Sequence, residues 1–396
     1  MRAKLALILF LSVAVLNAGG KRKFAAGQGL EGGSVAISNG CASSAKPFYF
    51  SADVAEGNHL VTVTLGAQVG GPSETTIKAE LRRLMAESVR VEAGQRRKVS
   101  FAVNVRRTRI AGTGLDVILK EREKTFEATA WDNRLTLEFT GATPTVCAIT
   151  IQPLPRVPTL FIAGDSTSTD QPREPFSSWG QMLTRFFKPS IAVANHGESG
   201  ESLKSFLRAR RWDKLLDVAR PGDWLMIQMG HNDQKERGEG IGAFSSYRAD
   251  LERFVDEARA KGMHPVLVTS MHRRTFDASG KITNSLGDYP EAVRRVAAER
   301  KVPLIDLHAM SAKVYEAFGP EPSVQLFSSA RDGTHHNNYG SYQLAKCIVE
   351  AIRVAHLPLA KHLIEVVPYD PAHPDPIEKF HLPPSPSLRT ATPEGN

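Results

Sequence analysis

Four short polar clusters in the second half of this 396-residue chain carry the residue types of covalent and acid–base chemistry. They are Gly164-Asp165-Ser166, Asn195-His-Gly-Glu-Ser-Gly200, Gly230-His231-Asn232-Asp233 and Asp332-Gly-Thr-His335-His336. A serine hydroxyl is a weak nucleophile until a base accepts its proton as it attacks. A histidine held by a carboxylate supplies that base, and the carboxylate stabilises the imidazolium that forms. Ser166, Asp332 and His335 could meet in this way, with His336 as the competing base. The plainer reading of the first cluster is a polar turn, because Gly, Asp, Ser and Thr are ordinary turn residues. An Asp-His-His cluster could also suggest a metal. No third ligand stands at a recognised spacing, so no metal site is expected, and no cofactor is implied.

These side chains lie far apart in sequence, so the fold must gather them. The apolar run 160–163 stops at Gly164, and such a run reads as a buried parallel strand. Glycine permits a sharp turn there, leaving Ser166 at the carboxyl edge, where open α/β sheets place their ligands. Further strands are read at 191–194, 223–229, 265–269 and 303–306. Helical spacing is read at 178–187, 202–219, 247–261, 289–300 and 339–354. This alternation predicts a parallel sheet with right-handed crossovers and helices on both faces. Arg273 and Arg274 fall just past the fourth strand, where they could pair with a substrate carboxylate or remain solvated. His231 could line the mouth of the site or pack against it.

Before this half the periodicity is two. Val61, Val63 and Leu65 alternate with threonines, and Val99, Phe101, Val103 and Val105 alternate with small or polar residues. Leu135, Leu137 and Phe139 repeat the pattern, which predicts an antiparallel sandwich over 40–154. Trp131 or Phe48-Tyr49-Phe50 could stack on a sugar, but core or edge packing is the preferred reading. Pro153-Leu-Pro155-Arg-Val-Pro158 is a stiff connector to the second unit, 158–360. Residues 367–396 are proline-rich and read as an extended surface tail.

Residues 1–18 combine a basic head, an apolar run and small residues, the pattern of a secretory signal peptide, which implies a secreted or periplasmic protein. In such a compartment Cys41 and Cys147 could pair, while Cys347 reads as a buried apolar residue. Hydrophobic and charged fractions of 41% and 23% suit a soluble globular protein. The net charge of +8 suits acidic partners, among them polyuronate sugars. No dense basic block with interleaved aromatics appears, so nucleic acid is not expected as a partner, nor is a membrane. The oligomeric state is left open.

Gly-Asp-Ser, a glycine after the second strand, Gly-x-Asn-Asp and Asp-x-x-His, in that order, resemble the SGNH (GDSL-type) hydrolases. Gly-Asp-Ser-Thr and Gly-His-Asn-Asp are most similar to the rhamnogalacturonan acetylesterases within them, as are Met271-His-Arg-Arg274 and Gly287-Asp-Tyr-Pro290. The resemblance implies a three-layer α/β/α, flavodoxin-like sheet preceded by an all-β, galactose-binding-like sandwich. It implies Ser166 as nucleophile and, from the Asp-x-x-His spacing, His335 rather than His336 as base with Asp332. The oxyanion donors it implies are the Ser166 and Gly200 backbone N–H groups and the Asn232 amide; Gly197 is an alternative to Gly200. The expected activity is deacetylation of a plant cell-wall polysaccharide, with rhamnogalacturonan as the leading substrate. Acetylated xylan, a lipid or a thioester are alternative esters, and a non-catalytic carbohydrate-binding protein is the rival from another class. The absence of Gly-x-Ser-x-Gly argues against the lipase type of nucleophile elbow.

Overall fold

In a computed structural model of the chain, the described residues are 15–17, 20–31, 35–67, 71–365 and 367–386. The expected leader lies outside them except for its end, where Val15–Asn17 pairs with Lys21–Ala25. Among the described residues no helix is long and apolar enough to cross a membrane.

The second half is built on five parallel strands, ordered Ala192–Asn195, Thr159–Gly164, Trp224–Gln228, His264–Val268 and Leu304–Ile305. The chain therefore starts in the interior of the sheet, steps to one edge, and then crosses back to build toward the other. The reversal falls between the first and third strands, the switch point where such sheets hold ligands. Both faces are covered. Phe206, Trp212, Leu251, Phe254 and Val293 pack helices on one side. Trp179, Met182, Val314, Tyr315, Leu344 and Ile348 pack helices on the other. The arrangement is the expected three-layer α/β/α sandwich.

Two helical details differ from the sequence reading. The expected helix 202–219 is two helices, Leu203–Arg208 and Arg211–Val218, because Arg210 adopts a left-handed φ of 59°. No glycine or proline marks that break. A further helix, Leu307–Phe318, follows the fifth strand directly; the Asp306 side chain accepts from the Ala309 N–H at its start, and Gly319 at φ 82° ends it. The strand reading absorbed Asp306, the residue that caps this helix.

The first half is an antiparallel sandwich. One sheet includes Lys21–Ala25, Thr145–Pro153, Gly57–Gly66 and Arg96–Val105; the other is Leu30–Glu31, Phe48–Asp53, Arg134–Thr140, Ser73–Ala79 and Arg83–Val91. Val61, Val63, Leu65, Phe101 and Ile149 meet Phe48, Phe50, Leu137 and Phe139 between them. Phe48, Phe50 and Trp131 are buried, so they offer no open platform for a sugar ring. Cys41 and Cys147 form a disulfide, and Cys347 is buried and free.

Over 367–386 the tail runs along the surface, mostly exposed, but it is docked at a few points. Tyr369 is buried with its hydroxyl donating to Gln343, and Ser385 is buried beside Lys78 and Arg82 of the first half. Phe380 packs on Tyr339 and Tyr342. The proline-rich segment forms only one short helical turn, Ile377–Lys379, but a few of its side chains dock it across both units. Residues 387–396 lie outside the described set.

Candidate active site

Ser166 follows the strand Thr159–Gly164 by two residues, in a turn that doubles back on itself. The Ser168 and Thr169 N–H groups both donate to the Asp165 carbonyl. A Cβ on Gly164 would sit 1.9 Å from the Ser168 hydroxyl, so only glycine fits at this bend. Asp165 is buried and locks the turn, its Oδ1 accepting from the Thr167 N–H at 2.9 Å and hydroxyl at 2.7 Å.

Asp332 and His335 arrive from a loop just before the helix Asn338–Val354. His335 Nε2 lies 2.9 Å from Ser166 Oγ, and its Nδ1 lies 3.0 Å from Asp332 Oδ2. Oδ1 of the same carboxylate accepts the Thr334 and His335 N–H groups at 2.9 Å each, and Oδ2 accepts the Ser328 hydroxyl at 2.9 Å. Burial pushes the Asp332 carboxyl up, but the His335 ring and these N–H donors outweigh it and hold the group well below its ordinary value. It stays an anion, fit to orient an imidazole and to stabilise its protonated form.

His336 goes elsewhere. Its Nε2 shares a 2.7 Å hydrogen bond with the Tyr315 hydroxyl, and its ring packs on Phe327. Burial above all, then the neighbouring His335, lowers it to about 3. The two adjacent histidines thus engage different partners and share no ligand position with Asp332. Among the described residues the carboxylates that do cluster are Glu123, Glu127 and Glu198, and Arg122 and Arg211 meet them.

The proposed oxyanion donors lie on three neighbouring loops. Gln171 Nε2 donates to the Ser166 carbonyl at 2.7 Å and to the Ser199 hydroxyl at 3.3 Å. Asn232 Nδ2 donates to the Glu201 carbonyl at 3.0 Å. Gly200, at φ 78°, therefore sits between a residue tied to Ser166 and a residue tied to Asn232. Asp233 Oδ1 accepts the Leu203 N–H at 2.9 Å, fastening the same two loops. Burial pushes Asp233 up to about 7, against the pull of its backbone donors. Gly197, the alternative donor, is spent on the turn: its N–H donates to Asn195 Oδ1 and its carbonyl accepts from the Thr169 hydroxyl.

The expected substrate contacts fare differently. His231 is buried, with Nε2 donating to the Met271 carbonyl at 3.1 Å and Nδ1 3.4 Å from Asp165 Oδ2. Both ring nitrogens face protein, so this side chain props the wall of the site and has none left for a ligand. Arg274 donates to the Pro320 and Ala330 carbonyls and pins a loop. Arg273 is half-buried beside the base, donating to the Thr334 hydroxyl and the His231 carbonyl. It is the one of the three bonded to the residue next to His335 in sequence.

Residues 162–342 match the GDSL-like lipase/acylhydrolase family. The chain is 41% identical over 219 residues to rhamnogalacturonan acetylesterase RhgT of Bacillus subtilis, covering 52% of this chain and 94% of RhgT. The chain belongs to this family. YesY of the same organism, a probable rhamnogalacturonan acetylesterase, is 34% identical over 52% of this chain and 97% of its own length. The crystal structure of B. subtilis YxiM aligns at 22% identity with a TM-score of 0.49, over 85% of this chain and 89% of that one. As a GDSL-family member the protein is a carboxylic ester hydrolase.

The GDSL motifs point to the candidate triad but say nothing of its scaffold. Arg82 donates through Nη1 to the Gln171 and Phe176 carbonyls, both at 3.0 Å. Arg83 Nε donates to Asp170 Oδ2 at 2.6 Å, and Asp170 Oδ1 accepts from Asn195. Both arginines come from one turn of the sandwich, where Arg82 has a φ of 61°. The adjacent Arg-Arg pair was the only sequence trace of this support, and nothing local ties it to a segment some 90 residues away.

Proposed function

We propose that the protein is an exported serine esterase that removes acetyl groups from rhamnogalacturonan. The observation that carries the mechanism is the continuous chain Ser166 Oγ, His335 Nε2, His335 Nδ1, Asp332 Oδ2, each link within hydrogen-bond reach. In this reading Ser166 attacks the acetyl carbonyl while His335 takes its proton. The oxyanion is met by the Ser166 and Gly200 N–H groups and the Asn232 amide. His335 then protonates the departing sugar hydroxyl, leaving acetate esterified to Ser166. Water, deprotonated by the same ring, releases the acetate and restores the serine. The substrate assignment is supported by the 41% identity to RhgT across 94% of that protein. Export is supported by the basic-apolar head of the sequence and by the disulfide, which persists in oxidising compartments.

Acetate release from acetylated rhamnogalacturonan, acetylated xylan and long-chain esters, with Ser166→Ala as the blank, tests the proposal. Preferential release from rhamnogalacturonan is expected. Equal release from xylan, or a preference for long acyl chains, would remove the substrate; release by the blank would remove the mechanism.

A further inference from the structure

The outer face of one sandwich sheet carries an open groove of about 970 Å³, lined by none of the residues of the candidate active site. Strand register fixes its floor. Lys23 lies opposite Thr150, Thr150 opposite Thr62, and Thr62 opposite Ser100. The next outward row places Ala148, Thr64 and Lys98 side by side. The Thr62 and Ser100 hydroxyls touch at 2.8 Å. A band of hydroxyls thus runs between Lys21 and Lys23 on one bank and Arg96 and Lys98 on the other. With strands about 4.8 Å apart, the outer two of these four strands are roughly 14 Å apart.

The lining holds four cations and no acid, and all four cations are exposed. Among the described residues none of the four joins an ion pair, whereas Arg83, Arg211 and Arg294 elsewhere in the chain do. Like charges gathered without counter-charge repel one another, and an anionic ligand relieves that cost. The chemistry narrows the ligand further. Hydroxyls across the middle suit a partner rich in hydroxyls, with charges recurring along its length. No aromatic side chain lines the groove to stack a nucleobase. Its apolar lining is confined to Leu60, Cys147 and Ala148, too little to insert into a lipid surface.

We infer that this groove binds the uronate-bearing backbone of an acidic polysaccharide and holds the polymer while its acetyl groups are removed at Ser166. The inference rests on the rhamnogalacturonan reading for the identity of the polymer, but its binding arm stands apart from catalysis. Uronate carboxylates pair with Lys21, Lys23, Arg96 and Lys98, and ring hydroxyls exchange hydrogen bonds with Thr62, Thr64 and Thr150.

Calorimetric binding of polygalacturonate to the full chain tests it, comparing the native protein with Lys23→Glu/Lys98→Glu and with the milder Lys23→Gln/Lys98→Gln. Several surface pairs, each a fraction of a decade, multiply to a loss of about tenfold for the reversal, with a smaller loss for the glutamine pair. Binding weakens with added salt. On acetylated rhamnogalacturonan KM rises and kcat holds, and turnover of an aryl acetate is unchanged. Unaltered thermal midpoints show that the variants fold. Polygalacturonate binding that both variants leave intact overturns the groove, even if acetate is still released. Duplex DNA or phosphatidylserine vesicles binding as tightly as polygalacturonate would overturn it too. A protein that binds polygalacturonate through the groove but releases no acetate from rhamnogalacturonan upholds the site and defeats the activity instead.

Discussion

The sandwich has two outer faces that read alike in sequence and end differently. On one sheet the outward residues are Thr62, Thr64, Thr150 and Lys98, all at least partly exposed. On the other they include Lys78, Thr136, Glu138 and Thr140, all buried. Lys78 lies 3.6 Å from Glu138 and donates to Ser385, while Glu80 accepts the Thr136 N–H. The second face has been covered by the docked C-terminal segment and the α/β half, and its charges have found partners. The first has kept its charges in water. A covered polar face can hold another structure in place; an open one can only wait for a ligand. That contrast separates the support of the candidate site from the capture of its proposed substrate.

The largest effect sets the baseline for the comparison. Ser166→Ala lowers aryl acetate turnover by about 10⁴-fold or more, and Asp332→Asn by about 10³–10⁴-fold, both read as kcat/KM. If the covered face acts only by holding the nucleophile turn, then Arg82→Ala combined with Ser166→Ala falls no further than Ser166→Ala alone. By itself Arg82→Ala takes the Phe176 carbonyl's donor and one partner each from Glu174 and the Gln171 carbonyl, which keep the Ser385 N–H and the Gln181 amide. It costs about 1–3 kcal/mol in denaturant unfolding, the range for a buried polar group left unpaired, and lowers kcat more than tenfold by roughly the 1 Å misplacement argument. An Arg82→Ala protein of native activity would erase the distinction between the faces.

The smallest effect is a pH slope. Asp233 is held at about 7 in the folded protein, above its ordinary 3.8, chiefly by burial. The folded state therefore binds this proton more tightly than the unfolded state does. Its contribution to stability is greatest below the unfolded value and is lost as pH rises through about 7. Thermal midpoints measured from pH 4 to 8 fall more steeply for the native chain than for Asp233→Asn, in which Oδ1 can still accept the Leu203 N–H. Parallel slopes would show that this buried acid is not set apart from the solvated charges of the open face.

The candidate reacting groups were legible because their chemistry restricts residue type and because two of them follow strands whose apolar runs announce them, while Asp332 and His335 precede a helix at a motif spacing. Ser166 after 160–163 and Asn232 after 223–229 are of this kind. What stayed hidden depends on contact across the chain. Arg82 and Arg83 look like any surface pair until Gln171 and Asp170 are folded against them. His231 and Arg274 have the right types for a polar ligand, yet a backbone carbonyl satisfies a donor as well as a sugar does, and sequence cannot say which arrives. The break at Arg210 has no glycine or proline to announce it, and Asp306 belongs as much to a helix cap as to a strand end. Period two told which sandwich side chains leave the core, not what they meet outside it.

The turn bearing Arg82 and Arg83 lies in the β-rich unit, outside the segments that carry Ser166, Asp332 and His335, yet it grips the segment just past Ser166. Inactivation by heat or denaturant is accordingly governed by whichever half loosens first. Melting the β-rich half alone would silence an α/β half that is still intact, and the latter, excised as a free fragment, would have to find another clasp for the turn that carries Ser166.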